Sequence, residues 1–178
     1  MRENYLITLN IIFGLIIIIL STIVISIQNM DLSITIFLLT MGILLIGIIR
    51  LFNSILDKKV NRTGIITKFL SGMVAIILSI TIFVFLLNPM LYVFLLIDLF
   101  GVVILVIGIS RILVGVLTRK YTKNFRILTI LIGLISITFS VIIFSSHTFS
   151  IHFLLLLISF AILINGFARV MQSIVNFR

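Results

Sequence analysis

Residues 91–117 read LYVFLLIDLFGVVILVIGISRILVGVL, and this stretch indicates the fold. About 20 helical residues, each rising about 1.5 Å, cross the hydrocarbon core of a bilayer. The stretch exceeds that length and contains only two charged residues, Asp98 and Arg111. It therefore predicts one transmembrane helix.

Five similar apolar stretches make up most of the remaining chain. Of the 178 residues, 62% are hydrophobic and 10% are charged, and the mean hydropathy is +1.50, as is typical of a chain folded in lipid. The sequence predicts an all-α integral membrane protein with one transmembrane domain, residues 1–178, and six transmembrane helices. The predicted spans are Leu6–Gln28, Leu32–Ile55, Ile66–Leu87, Leu91–Leu117, Ile127–Phe144 and Ile151–Ile174.

The basic residues all lie on one side of the predicted membrane, and the first, third and fifth connections contain none of them. The positive-inside rule then predicts a cell-membrane protein with both termini in the cytoplasm. The net charge of +9 is explained by this topology, so we predict no nucleic-acid partner. The 13 residues are Arg2, Arg50, Lys58, Lys59, Arg62, Lys68, Arg111, Arg119, Lys120, Lys123, Arg126, Arg169 and Arg178.

A helical hairpin of about 60 residues recurs three times, with boundaries at residues 1–60, 61–120 and 121–178. In each odd-numbered span a Gly is followed seven residues later by a Ser, and in each even-numbered span small residues recur every seven positions. The pairs and series are Gly14/Ser21, Gly72/Ser79, Gly133/Ser140, Thr40-Gly47-Ser54, Gly101-Gly108-Gly115 and Ser159-Gly166-Ser173. The repeats predict three hairpins of equal orientation, and a pseudo-threefold axis along the membrane normal is one arrangement.

The small residues form a stripe along one face of each helix, because seven residues make almost two turns. Such stripes let the backbones of neighbouring helices approach closely in lipid. We therefore predict a packing role, and no ligand, for the glycines. They are Gly14, Gly47, Gly72, Gly101, Gly108, Gly115, Gly133 and Gly166.

An Arg follows the central small residue of each even-numbered span by three positions. With the Gly-led odd-numbered spans, these Gly-x-x-Arg motifs make the chain resemble the HdeD-type acid-resistance membrane proteins. The resemblance implies a role in acid or general stress tolerance and no catalytic residues. One departure concerns the outer turns, where such hairpins often carry a proline: here Pro89 is the only proline. The motifs are Gly47-Ile48-Ile49-Arg50, Gly108-Ile109-Ser110-Arg111 and Gly166-Phe167-Ala168-Arg169.

Asp98 is a candidate proton or cation site, because an ionised carboxylate inside a span costs about 2.5–3.5 kcal/mol and is often functional. The plainer alternative is a neutral carboxyl hydrogen-bonded to a neighbouring helix. The other two repeats have Phe37 and Leu156 at this position. Asp98 therefore breaks the predicted symmetry.

The arginines Arg50, Arg111 and Arg169 are a candidate site for an anion or a lipid headgroup if all three face a common axis. The plainer alternative is that each side chain snorkels to the membrane interface. His147 and His152 flank the last outer turn, where they are either acid sensors or ordinary interfacial residues.

No residue pattern indicates an enzyme. The chain has no cysteine, no His-Glu-x-x-His motif and no paired intramembrane aspartates, so we predict no catalytic residue, metal or cofactor. Three functions stay open: a stress-tolerance protein of the HdeD type, a small transporter or proton-coupled channel using Asp98, and a scaffold for membrane complexes. The expected partner is the lipid bilayer, including anionic headgroups, while a homo-oligomer or a protein partner stays open.

Overall fold

The computed structural model describes residues 2–27, 31–57, 61–87, 93–118, 121–145 and 150–175. Across these residues the chain is all-helical, and its six helices are each long and apolar enough to cross a membrane. This confirms the predicted all-α class and number of spans. The helices are α1 (Arg2–Ser26), α2 (Leu32–Leu56), α3 (Arg62–Leu86), α4 (Val93–Leu117), α5 (Lys123–Ser145) and α6 (Ile151–Val175).

The helix boundaries agree with the predicted spans to within a few residues, and the differences follow a pattern. Helices α1, α3 and α5 each begin four residues before the predicted span, at Arg2, Arg62 and Lys123. Backbone hydrogen bonding continues through polar residues that hydropathy excludes. Each odd-numbered helix therefore has an extra turn at its start that includes a basic residue.

The even-numbered helices form the inside of the bundle. In α2, α4 and α6, 50% of the spanning window is buried, against 22%, 28% and 33% in α1, α3 and α5. Helices α2 and α4 both pack on α6. Large apolar side chains such as Ile77 and Leu134 are about half exposed on the outer helices, as expected for a surface that faces lipid.

The most extensive helix contacts join α2 to α3, α4 to α5, and α6 to α1. Each even-numbered helix thus packs most closely on the odd-numbered helix that follows it, and α6 closes the bundle on α1. One end of the bundle, here called the basic end, contains the C-termini of the even-numbered helices and the N-termini of the odd-numbered ones. There Asn61, just before α3, donates a hydrogen bond to the carbonyl of Leu117 at the end of α4 (3.0 Å).

Candidate functional site

Glycine pairs set the distance between each even-numbered helix and its closest neighbour. Gly47 on α2 and Gly72 on α3 face each other, and a Cβ built on either would lie 3.0 Å from the carbonyl oxygen of the other. Gly166 and Gly14 meet in the same way at the α6–α1 contact, at 3.1 and 3.2 Å. These are backbone-to-backbone contacts that a side chain would obstruct.

Two other predicted packing glycines contact side chains of α5. A Cβ on Gly101 would lie 3.1 Å from the ring of Phe144, and a Cβ on Gly115 would lie 2.7 Å from Ile130. Gly42, which is not part of the predicted stripe, faces Ile162 of α6 at 3.2 Å. It brings α2 close to the centre of the bundle.

Two glycines of the odd-numbered helices also make room for arginine stems. A Cβ on Gly72 would lie 3.2 Å from the Cβ of Arg50, and one on Gly14 would lie 3.4 Å from the Cβ of Arg169. A larger residue at either glycine would press on the first carbon of the arginine side chain. The Gly and Gly-x-x-Arg motifs therefore act together at these contacts.

The three repeat arginines, here called the arginine cluster, lie inside the bundle. Arg50, Arg111 and Arg169 are only 6%, 5% and 5% exposed. Snorkelling to the membrane interface, the plainer expectation, is therefore wrong, because neighbouring helices cover these three side chains. The guanidinium charges are close enough for each to repel the other two.

Polar groups on neighbouring helices hold part of this cluster. Arg50 donates a hydrogen bond from Nη2 to Oγ of Ser110 on α4 (2.5 Å), and Ser71 on α3 is 3.0 Å from the same oxygen. Arg169 donates from Nη2 to the carbonyl oxygen of Ile46 on α2 (3.0 Å). The cluster thus connects α2 with both α4 and α6.

Several donors of the cluster have no hydrogen-bond partner among the residues that the structure describes. They are the buried Nε atoms of Arg50, Arg111 and Arg169 and the buried Nη1 of Arg111. Buried polar atoms in proteins are usually paired. This group of donors is therefore the strongest candidate binding feature in the described part of the chain.

One carboxylate lies next to the cluster. Asp57, directly after α2, accepts a hydrogen bond from Nζ of Lys68 on α3 (3.0 Å) and one from the hydroxyl of Tyr121. Lys68 also donates to the Tyr121 oxygen (3.0 Å), and its charge is close enough to be repelled by Arg50 and Arg169. Burial, and then the nearby Asp57 charge, raise the pKa of Tyr121. The phenol therefore stays a hydrogen-bond donor.

Asp98 and His152 lie away from the cluster. Asp98 is half-buried on α4. It precedes Arg111 by 13 residues, which separates the two residues by about 20 Å along the helix axis at about 1.5 Å per residue. His152 is exposed on α6. His147 and Pro89 lie outside the described residues.

Sequence reasoning missed the partners of the arginines. Ser110 directly precedes Arg111, and its position inside a Gly-x-Ser-Arg motif was a usable signal. Asp57 is an acidic residue beside the basic second connection, and this position was a usable signal for its ion pair with Lys68. Tyr121 gave no signal, because its role depends on how the two basic connections meet in space.

Six apolar helices with inward polar side chains indicate a multi-pass membrane protein. A family model described as "Short repeat of unknown function (DUF308)" matches residues 82–145, and this family includes HdeD-like membrane proteins. The matched segment contains the end of α3 together with α4 and α5, the two helices that Gly108 and Gly133 bring together. No curated protein and no solved structure matches the chain.

Proposed function

We propose that this chain is a non-enzymatic membrane protein of the HdeD type that contributes to acid or general stress tolerance. The observation that carries the proposal is the recurrence of one arrangement, a Gly-to-Gly helix contact beside an inward-facing arginine, at Gly47/Gly72 with Arg50 and at Gly166/Gly14 with Arg169. The HdeD-type resemblance rests on these same motifs. The DUF308 match to residues 82–145 adds support, because that family includes HdeD-like membrane proteins.

The proposal includes a threefold repeat in the cell membrane with both termini in the cytoplasm. The distribution of charge along the sequence supports the orientation: the basic residues lie in or next to the segments that adjoin the basic end, and the positive-inside rule predicts that such an end is cytoplasmic. Cysteine substitutions at Asn29 and Arg178, labelled in intact cells, test the orientation. A membrane-impermeant reagent should label position 29 and leave position 178 unlabelled, and the reverse pattern would contradict the topology.

A strain that lacks this protein tests the stress role. We expect lower survival of acid challenge than in the parent strain, restored by the wild-type chain and not by Gly133→Leu, which would separate α4 from α5. Full acid survival of the deletion strain would reject an indispensable role. Immunoblots of the membrane fraction must show whether the variant is retained, because its loss by degradation would also prevent rescue.

A second candidate function is proton-coupled or ion-coupled transport through Asp98. The observation that favours it is the half-buried position of this carboxylate five residues into α4, within an otherwise apolar segment. Purified protein in liposomes with a pH gradient tests it. Flux that Asp98→Asn abolishes would support transport, whereas equal flux with both proteins would reject the role of Asp98.

A further inference from the structure

We propose that the arginine cluster is a binding site for a phosphate group, supplied either by free inorganic phosphate or by the headgroup of an anionic lipid. Arg50, Arg111 and Arg169 come from three different helices and are at least 94% buried. Each has at least one buried N–H donor without a partner among the described residues. The proposal concerns binding by the purified protein, so it is independent of the stress role.

The charge of the cluster requires a counter-ion. A guanidinium remains protonated in proteins, and charges removed from water are strongly unfavourable unless an opposite charge balances them. Asp57 is the carboxylate beside the cluster, and it is already engaged by Lys68 and Tyr121. Asp98 lies far along α4, and Asp31 lies at the opposite end of the bundle. Among the carboxylates whose side chains the structure describes, none therefore balances all three arginines.

The set of donors has the chemistry that an oxyanion requires. Arg50 and Arg169 each use Nη2 for a protein acceptor, which fixes these side chains and leaves their Nε donors available. Arg111 has both Nε and Nη1 available. Phosphate has enough oxygens to meet three guanidinium groups at once, and arginine forms strong, directional hydrogen bonds with phosphate.

The depth of the cluster suits both sources of phosphate. Each arginine lies six residues before the last residue of its helix, which is about 9 Å along the axis at about 1.5 Å per residue. Helices of 25 residues extend somewhat beyond a hydrocarbon core of about 30 Å. The cluster therefore lies near the boundary between hydrocarbon and headgroups, within reach of lipid phosphate and of solutes from the basic end.

Two binding measurements distinguish the sources. In the first, radiolabelled inorganic phosphate is titrated against the protein in nanodiscs of zwitterionic phosphatidylcholine. In the second, native mass spectrometry counts the phosphatidylglycerol retained by protein released from membranes of that lipid. Binding in the first measurement assigns free phosphate, binding only in the second assigns the lipid headgroup, and binding in both assigns a site open to either.

The decisive variant is Arg111→Gln, because Arg111 offers two unpartnered donors. We expect about tenfold weaker binding, the effect of losing a charge-assisted hydrogen bond. Arg126→Gln is the matched control: Arg126 also lies at the basic end, but its Nε and Nη2 donate to the carbonyls of Gly115 and Val116 (2.8 and 3.2 Å). This control should bind like the wild type.

Circular dichroism shows whether Arg111→Gln folds. If it does not fold, Arg111→Lys takes its place in both binding measurements. Lysine keeps the charge but loses the planar set of donors, so its binding should also be weaker than that of the wild type. Wild-type binding by a folded Arg111 variant in both measurements, or no binding by the wild type in either, would overturn the proposal.

Discussion

Gly108 and Gly133 meet backbone to backbone at the α4–α5 contact. A Cβ built on Gly133 would lie 2.8 Å from the carbonyl oxygen of Gly108, and one built on Gly108 would lie 2.9 Å from that of Gly133. Backbone atoms cannot rotate away as a flexible side chain can. Any residue with a side chain must therefore push the two helices apart.

Gly133→Ala should destabilise the bundle by about 1–3 kcal/mol, the usual effect of overpacking a close contact. Gly42→Ala is the control, because its Cβ would meet only the side chain of Ile162, at 3.2 Å. There the better helix propensity of Ala, about 1 kcal/mol, offsets much of the crowding. Unfolding in mixed detergent micelles measures both variants, and an equal loss of stability would contradict the backbone-contact argument.

Asn10 on α1 and Asn53 on α2 form a reciprocal amide pair. Asn10 donates to the side-chain oxygen of Asn53 (3.0 Å), and Asn53 donates to that of Asn10 (2.7 Å). A double-mutant cycle with Asn10→Ala and Asn53→Ala should give a coupling free energy of about 0.6–1.7 kcal/mol, the range for such bonds in membrane bundles. Additive losses would mean that the two amides contribute independently.

Tyr121 should make the protein sensitive to alkali. Its pKa is raised by burial and by Asp57, so the folded state holds the phenolic proton more tightly than the unfolded state. The resulting contribution to the free energy of unfolding is complete at pH values below the unfolded-state tyrosine pKa of about 10. It is lost as the pH rises above that pKa. The unfolding temperature should fall above pH about 10 and should fall less steeply in Tyr121→Phe.

Tyrosinate absorbance provides an independent check of the same proton. The chain has three tyrosines. The measurement is made near pH 11, roughly one unit above an ordinary tyrosine pKa. At this pH the tyrosinate absorbance of folded Tyr121→Phe should be almost the same as that of the folded wild type. A loss of one third of that signal in Tyr121→Phe would show that this phenol ionises normally.

The sequence predicted the six spans well because hydropathy over about 20 residues reports directly on the solvent around a helix. It also identified Gly47, Gly72 and Gly108 before any contact was known, since a seven-residue period keeps small residues on one face. These features depend only on local spacing along the chain. They required no knowledge of which helices are neighbours.

Local spacing could not predict whether the arginine side chains face the inside of the bundle or the membrane interface. Distance from a helix end allows Arg50 either to snorkel outward or to turn inward, and the choice depends on space and acceptors supplied by other helices. Gly72 leaves room for the Arg50 stem, and Ser110 accepts its hydrogen bond. Both partners are distant in sequence, so the burial of the cluster is a property of the packed bundle.

The ion pair between Lys68 and Asp57 should matter more than an ordinary surface pair, because the two side chains are only 15% and 18% exposed. Asp57→Asn leaves the Lys68 charge beside Arg50 and Arg169. We expect a loss of about 2–3 kcal/mol, somewhat less than for a fully buried pair that loses one partner.

Removing both charges should restore much of that stability, because the double variant Asp57→Asn/Lys68→Gln no longer contains an isolated ammonium near the arginines. The unfolding free energies of the two single variants and the double variant measure this coupling. If the double variant lost as much as the sum of the single changes, the repulsion between Lys68 and the arginine cluster would have no part in the effect. Restored stability would instead show that Asp57 stabilises the basic end by neutralising Lys68.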